Sequence, residues 1–250
     1  MRLLTTAILS AAALIGLASR GAAADDDPKA IIVKAIKAHG GEETLAKFQA
    51  GQAKNKGKID LPGLGETEFT QEVSYMLPDK LKDSLELQIM GQKVSVLTLV
   101  NGEKITIEAN GQKIEPPDAA KEALKDAQQM MKVARLVSIV REKGFELSLI
   151  GEAKVEGKDT VGVRVSKKDA KDVSLFFNKE TGLLTKLEHR TADATGKEIT
   201  EERIITEYQK VDGLPLPKKV LVKHDGKNFL EAEVQEIKLL EKLDESEFKK

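Results

Sequence analysis

The sequence runs to 250 residues, with 40 Lys and Arg against 41 Asp and Glu and a formal net charge of -1. That balance leaves no basic excess to neutralise a nucleic-acid backbone, and aromatics at 4% with no Trp give little to stack on bases or sugars. Cys is absent, which excludes thiol catalysis, disulfides, Cys-ligated zinc and iron–sulfur clusters.

Met1-Arg2 makes a basic start, Leu3 to Leu17 is an apolar run, and Ala22-Ala23-Ala24 precedes Asp25-Asp26-Asp27. This is the three-part layout of a secretory signal peptide, over residues 1–24, with cleavage after Ala24. The run is shorter than the roughly 20 residues that a membrane-spanning helix needs. A bacterial lipoprotein is acylated on a Cys directly after its signal, and none is available here. The expectation is a periplasmic or secreted monomer, one domain over 25–250, that does not span a membrane.

From Pro28 the spacing of Ile31, Ile32, Ala35 and Ile36 predicts a helix, stopped by His39-Gly40-Gly41 and followed by another turn or two to Phe48. Beyond Gly51 the period changes to two. Strands are predicted at about 51–60, 66–77, 81–90, 93–100 and 103–108, with Asn101-Gly102 as the strongest hairpin signal. Pro116-Pro117-Asp118 opens one long helix over 117–143, capped by Asp118, with an apolar stripe through Leu124, Ala127, Met131, Ala134 and Val137. Strands resume at 145–155, 160–167, 172–178, 183–192, 197–209, 216–224 and 228–239. Twelve strands in a meander exceed what an open twisted sheet tolerates without curling. The predicted fold class is therefore mainly β: a strongly curved antiparallel sheet forming a partial, unclosed barrel with helices on its concave face. An outer-membrane barrel is excluded, because the strands alternate apolar residues with Lys, Glu or Asp and lack aromatic girdles.

Catalytic chemistry is not visible. His39 sits at a helix end, where capping explains it; His189 lies in a strand and His224 before a turn. Neither a zinc motif, an EF-hand, a nucleophile elbow nor a phosphate loop occurs. Glu42-Glu43 and Glu201-Glu202 read as solvated faces. No enzyme, cofactor or metal is expected.

What remains is shape. An apolar inner face closed by an amphipathic helix makes a solid core or a hydrophobic cavity. The walls of such a cavity are expected from Leu85, Leu87 and Ile89, from Val161, Val163 and Val165, and from Val173, Leu175 and Phe177. Met130, Met131 and Ala134 would close it, and Leu61 and Leu64 on a glycine-rich hairpin tip are a candidate lip.

Three segments, in order, resemble a known family. Lys37-Ala38-His39-Gly40-Gly41 with Leu45 is similar to the opening of the lipoprotein-sorting proteins of the LolA-like superfamily. Leu175 to Leu184 resembles their strand, Thr-Gly turn and strand, and Tyr208 to Pro217 their tyrosine and proline landmark. Leu243 to Phe248 fits their short tail. The resemblance implies an open barrel whose helices lid a cavity for lipid or lipoprotein acyl chains. The missing Cys favours the soluble carrier over the acylated receptor of that fold. The resemblance extends to exported regulators of envelope stress, which implies a protein partner as the alternative.

Overall fold

The computed structural model describes residues 27–193 and 195–249, so the expected signal peptide and its cleavage point lie outside the described residues. Two short helices come first, α1 (Pro28–Ala38) and α2 (Glu42–Lys47). Asp27 caps α1 by accepting from the Lys29 amide at 3.0 Å, and Pro28 takes the first turn, where a missing N–H costs nothing. At its other end His39 closes the helix, its Nδ1 2.8 Å from the Ala35 carbonyl, as expected for a capping residue.

Six strands follow: β1 (Ala50–Leu61), β2 (Gly65–Met76), β3 (Lys80–Ile89), β4 (Gln92–Asn101), β5 (Lys104–Ala109) and β6 (Gln112–Ile114). After two further helices come β7 (Phe145–Val155), β8 (Lys158–Lys167), β9 (Val173–Asn178), β10 (Leu184–Ala192), β11 (Glu198–Val211), β12 (Leu214–His224) and β13 (Lys227–Leu240). All thirteen form one antiparallel sheet in the order β6-β5-β4-β3-β2-β1-β13-β12-β11-β10-β9-β8-β7. The strand missing from the sequence reading is β6, whose three residues are too few to show an alternation. The sheet does not close, since β6 and β7 are its edges, and β1 pairs with β13 at its middle. The expected turn at Asn101-Gly102 joins β4 to β5, with Gly102 at φ 62, a conformation that glycine adopts freely.

The long helix expected over 117–143 is broken in two, α3 (Asp118–Ala134) and α4 (Val137–Arg141). Leu136 stands between them at φ 63. One straight helix cannot present Val133, Leu136 and Ile139 to a common core together with the Leu124 and Met131 stripe. The break turns the chain so that all three are buried. Asp118 is also not the cap: Pro117 holds that position, and the Asp118 carboxylate takes Lys121 at 3.1 Å instead.

α1 packs on β7 and β8, and α3 lies across β9 and β10. Between them is the main core, where Ile32, Ala35, Val133, Val163 and Leu175 are fully enclosed. On the opposite face a 3-10 helix (Glu245–Phe248) tucks Phe248 against Ala50 and Met76. A β-carbon at Gly57 would lie 1.8 Å from the Glu231 carbonyl, so a glycine is required where β1 passes β13.

Candidate functional site

Alternation along the strands assigns every inward side chain to the face that α1 and α3 cover. The expected wall residues all lie on that face or on the helix above it, but the structure divides them. Val161, Val163, Val165, Val173, Leu175 and Phe177 interlock with Met130 and Ala134 in the main core. Leu85, Leu87 and Ile89 belong to a second cluster with Ile59 and Phe69, at the end of the sheet where Leu61 also packs. Leu64, the other half of the candidate lip, is exposed at the β1–β2 tip.

The inner face of β2–β5 is a ruled surface. Register sets Phe69, Leu87 and Val94 in one row, and Gln71, Leu85, Val96 and Ala109 in the next. Val73, Asp83, Thr98 and Ile107 form a third. Apart from Phe69 and Leu87, these side chains are half-buried. A second side of α3 carries Leu124 and Met131, with Arg135 in phase at its end, at spacings of seven and four residues. Arg135 donates to the Tyr75 hydroxyl of β2 at 3.1 Å, which fixes that side of the helix toward β2. Leu124 and Met131 are half-buried there, whereas Met130 is buried in the core. The helix therefore has one side interlocked with β9 and β10 and another that carries half-buried Leu124 and Met131.

The inner face is polar in part. Asn55 Nδ2 donates to Gln71 Oε1 at 3.0 Å, and Gln71 Nε2 donates to both Asp83 oxygens at 3.0 and 2.9 Å. Burial pushes the Asp83 carboxyl up to about 6, although Gln71 and the charge of Arg203 pull the other way. Arg203 belongs to β11, separated from β3 in the sheet by β2, β1, β13 and β12. In a flat sheet that distance would be about 24 Å. The sheet therefore curls until its two halves oppose one another on this face.

Across from Asp83, His189, Glu201 and His224 are direct cross-strand partners on β10, β11 and β12. Glu201 accepts from Arg203 Nε at 2.7 Å, and its other oxygen is 3.2 Å from His224 Nε2. Burial opposes ionisation of Glu201, but the adjoining Arg203 guanidinium holds its pKa below the usual range. His189 is buried, which depresses its pKa, and its Nδ1 has no hydrogen-bond partner. Asp126 of α3 lies near enough for its charge to act on His189, and takes Lys171 at 2.8 Å.

One sequence reading changes here, and His189, in a strand as expected, gains a direction. Glu201-Glu202 is not a solvated face: Glu201 points inward to Arg203, and Glu202 points outward to Lys186 at 2.8 Å, its side chain 21% exposed. His189 is an inward residue beside Leu187. The polar floor was findable, since Asp83 alternates in phase with Leu81, Leu85 and Leu87, and Arg203 with Ile205. Glu42 and Glu43 are exposed, as expected. Among the described residues no cluster of His, Asp and Glu is arranged to hold a metal.

The opposite face carries an open cavity of about 830 Å3. Lys56, Glu233 and Lys219 cross it in register, with Lys56 4.0 Å from Glu233 and Lys219 2.9 Å from Glu207 on the next strand. These exposed ion pairs stand beside Val220, Leu221 and Ala232 in the lining, and exposed pairs of this kind add little stability.

Comparison with family models gives no match, and comparison with curated proteins gives none. Solved structures are informative. A LolA superfamily protein from Nitrosomonas europaea superimposes with a TM-score of 0.54 at 12% identity, over 89% of this chain and 97% of that one. A DUF1329 family protein from Desulfovibrio piger gives 0.51 at 13% identity, over 90% of this chain and 98% of that one. The order of elements, the unclosed curled sheet and the helices on its inner face are thus those of the LolA-like fold.

Proposed function

We propose that the protein is an exported, non-enzymatic carrier that holds a single-chain lipid or an acylated segment in the trough between α3 and the inner face of β2–β5. The observation that carries this reading is the half-buried aliphatic surface of Leu85, Val96 and Ile107 on the inner face, together with half-buried Leu124 and Met131 on α3. A folded protein gains about 25 cal/mol for each Å2 of apolar surface removed from water, so a contiguous trough left wet is a standing attraction for an acyl chain. Leu85, Leu87, Ile89 and Met131 are the wall residues of this reading. The valines under α1 have no room to take part, because helix and sheet already interlock there. Export rests on the N-terminal segment, and among the described residues no helix is long and apolar enough to cross a membrane.

Native mass spectrometry of protein purified without detergent tests the proposal. A co-purified lipid, lost from a Leu85→Arg variant that stays folded, is the expected result. Protein that carries no lipid, takes up no added C12–C18 amphiphile and captures an envelope protein would overturn it in favour of the partner-binding reading.

A further inference from the structure

A trough that served only an alkyl chain has no use for the inward carboxyls of Asp83 and Glu201, the amides of Asn55 and Gln71, the imidazoles of His189 and His224 and the Arg203 guanidinium. Their cost is visible: Asn55 Oδ1, His189 Nδ1 and, one turn after Leu124 on α3, Gln128 Nε2 are buried with no hydrogen-bond partner among the described residues. Buried polar atoms are paired in nearly all native structures, so each orphan is a bond left for a ligand to make. His189 is 6% exposed, so bulk solvent does not reach it freely. The orphans are of both kinds, since Asn55 Oδ1 accepts, Gln128 Nε2 donates and a neutral imidazole nitrogen does either. Arg203 adds donors: Glu201 occupies its Nε, and among the described residues its two Nη amines bond to nothing.

Resting on the carrier reading, we infer that Asn55, Gln71, Asp83, His189, Glu201 and Arg203 form a head-group site. It suits a single-chain amphiphile with an uncharged, polyhydroxylated head such as glycerol or a hexose. Hydroxyls satisfy donors and acceptors together, which is what a mixed set of orphans requires. An anionic head would meet the Asp83 and Glu201 carboxylates, with the charge of the Arg203 guanidinium already balanced by Glu201. A cationic head would leave the Gln128 and Arg203 donors facing another donor. Head and chain sites adjoin, since Asp83 and Gln71 lie in the same rows as Ile107 and Leu85.

The test is a head-group series at constant chain length. Monolaurin, dodecyl maltoside, laurate, dodecylamine and dodecane are titrated calorimetrically into the wild-type protein at pH 7.5, each below its aggregation limit. The inference expects the two polyhydroxylated ligands to bind at least tenfold tighter than the other three. It also expects a paired Asn55→Leu/His189→Leu variant, checked for folding by circular dichroism, to lose that preference. Equal affinity across the series would mean that the polar floor holds only water; the inference falls and the carrier reading stands. Tighter binding of laurate or dodecylamine overturns the inference in the same way. If none of the five binds, both readings fall. The wild-type series decides the matter even where the paired variant fails to fold.

Discussion

Arg135, at the break between α3 and α4, reaches the Tyr75 hydroxyl on β2 at 3.1 Å. The same guanidinium donates to the Leu45 carbonyl at 3.3 Å and to the Phe48 carbonyl, so one side chain ties the end of α3 to α2 and to the wall of the trough. Tyr75 reaches it by lying over Gly51, where a β-carbon would be 2.6 Å from the Tyr75 hydroxyl. Charge-assisted hydrogen bonds of this kind are each worth about 1.5–3 kcal/mol. Arg135→Ala is therefore expected to lower stability to urea by about 2–4 kcal/mol and to speed amide exchange in α2 and α4. Arg135→Lys recovers only part, since one ammonium cannot match the fork. Unchanged exchange in α2 would show that the tie is ornamental.

The Asp83 carboxyl gives a pH signature. Its native pKa is about 6, against about 3.9 in an unfolded chain. The native state therefore holds this proton more tightly, and the contribution of Asp83 falls as pH rises from about 4 to about 6, then stays level. The swing is on the order of 3 kcal/mol. Glu201 acts in the opposite sense, because a depressed pKa loses its contribution on acidification, but it is present in wild type and variant alike. Asp83→Asn is thus expected to gain stability relative to wild type across pH 4–6, with a constant difference above pH 6. Urea titrations of both proteins at pH 4, 5, 6 and 7.5 would show it; parallel stability curves would refute it.

The elements and their order were legible because turn chemistry and two-residue alternation repeat so often in this chain. Alternation also placed Val163, Leu175 and Leu85 on one face. It does not say which stretch of that face a helix will cover, because coverage depends on how far the sheet curls. That is why a single expected cavity divided into a packed core and an open trough. The helix break at Leu136 left no local mark, since neither Gly nor Pro occurs between Asp118 and Glu142. What drives it is the demand for burial on two sides of one helix. Asp83, Arg203 and His189 lay in the inward phase all along, but polar and charged residues are so frequent here that alternation alone does not single them out.

The N-terminal segment carries its own prediction. A signal peptidase takes small residues before its cut, and Ala22-Ala23-Ala24 supplies them. The exported protein is expected to begin at Asp25, one residue short of the acidic pair that ends in the α1 cap, Asp27. Intact-mass measurement on the periplasmic or culture fraction checks this, and full-length protein retained in the cytoplasm would contradict it.

The division of the inner face makes two superficially similar substitutions behave differently. Leu175 is 0% exposed, locked between Val163 on β8 and Leu187 on β10 beneath the helices. An arginine there buries an unpaired charge in a site with neither water nor an acid to meet it, and such a change costs more than about 4 kcal/mol. Leu175→Arg is expected to unfold the domain, with loss of its cooperative thermal transition. Met131, on α3, is half-buried and lies outside that core cluster. Its replacement can turn a guanidinium toward water, as long basic side chains do. Met131→Arg should therefore keep the native circular dichroism and lose less than about 2 kcal/mol, while amphiphile uptake drops at least tenfold because the charge sits where the chain would lie. Were both variants to unfold, Met131 would belong to the core and the trough would be closed. Were both to fold and bind as wild type does, the apolar wall opposite α3 would have no part in binding.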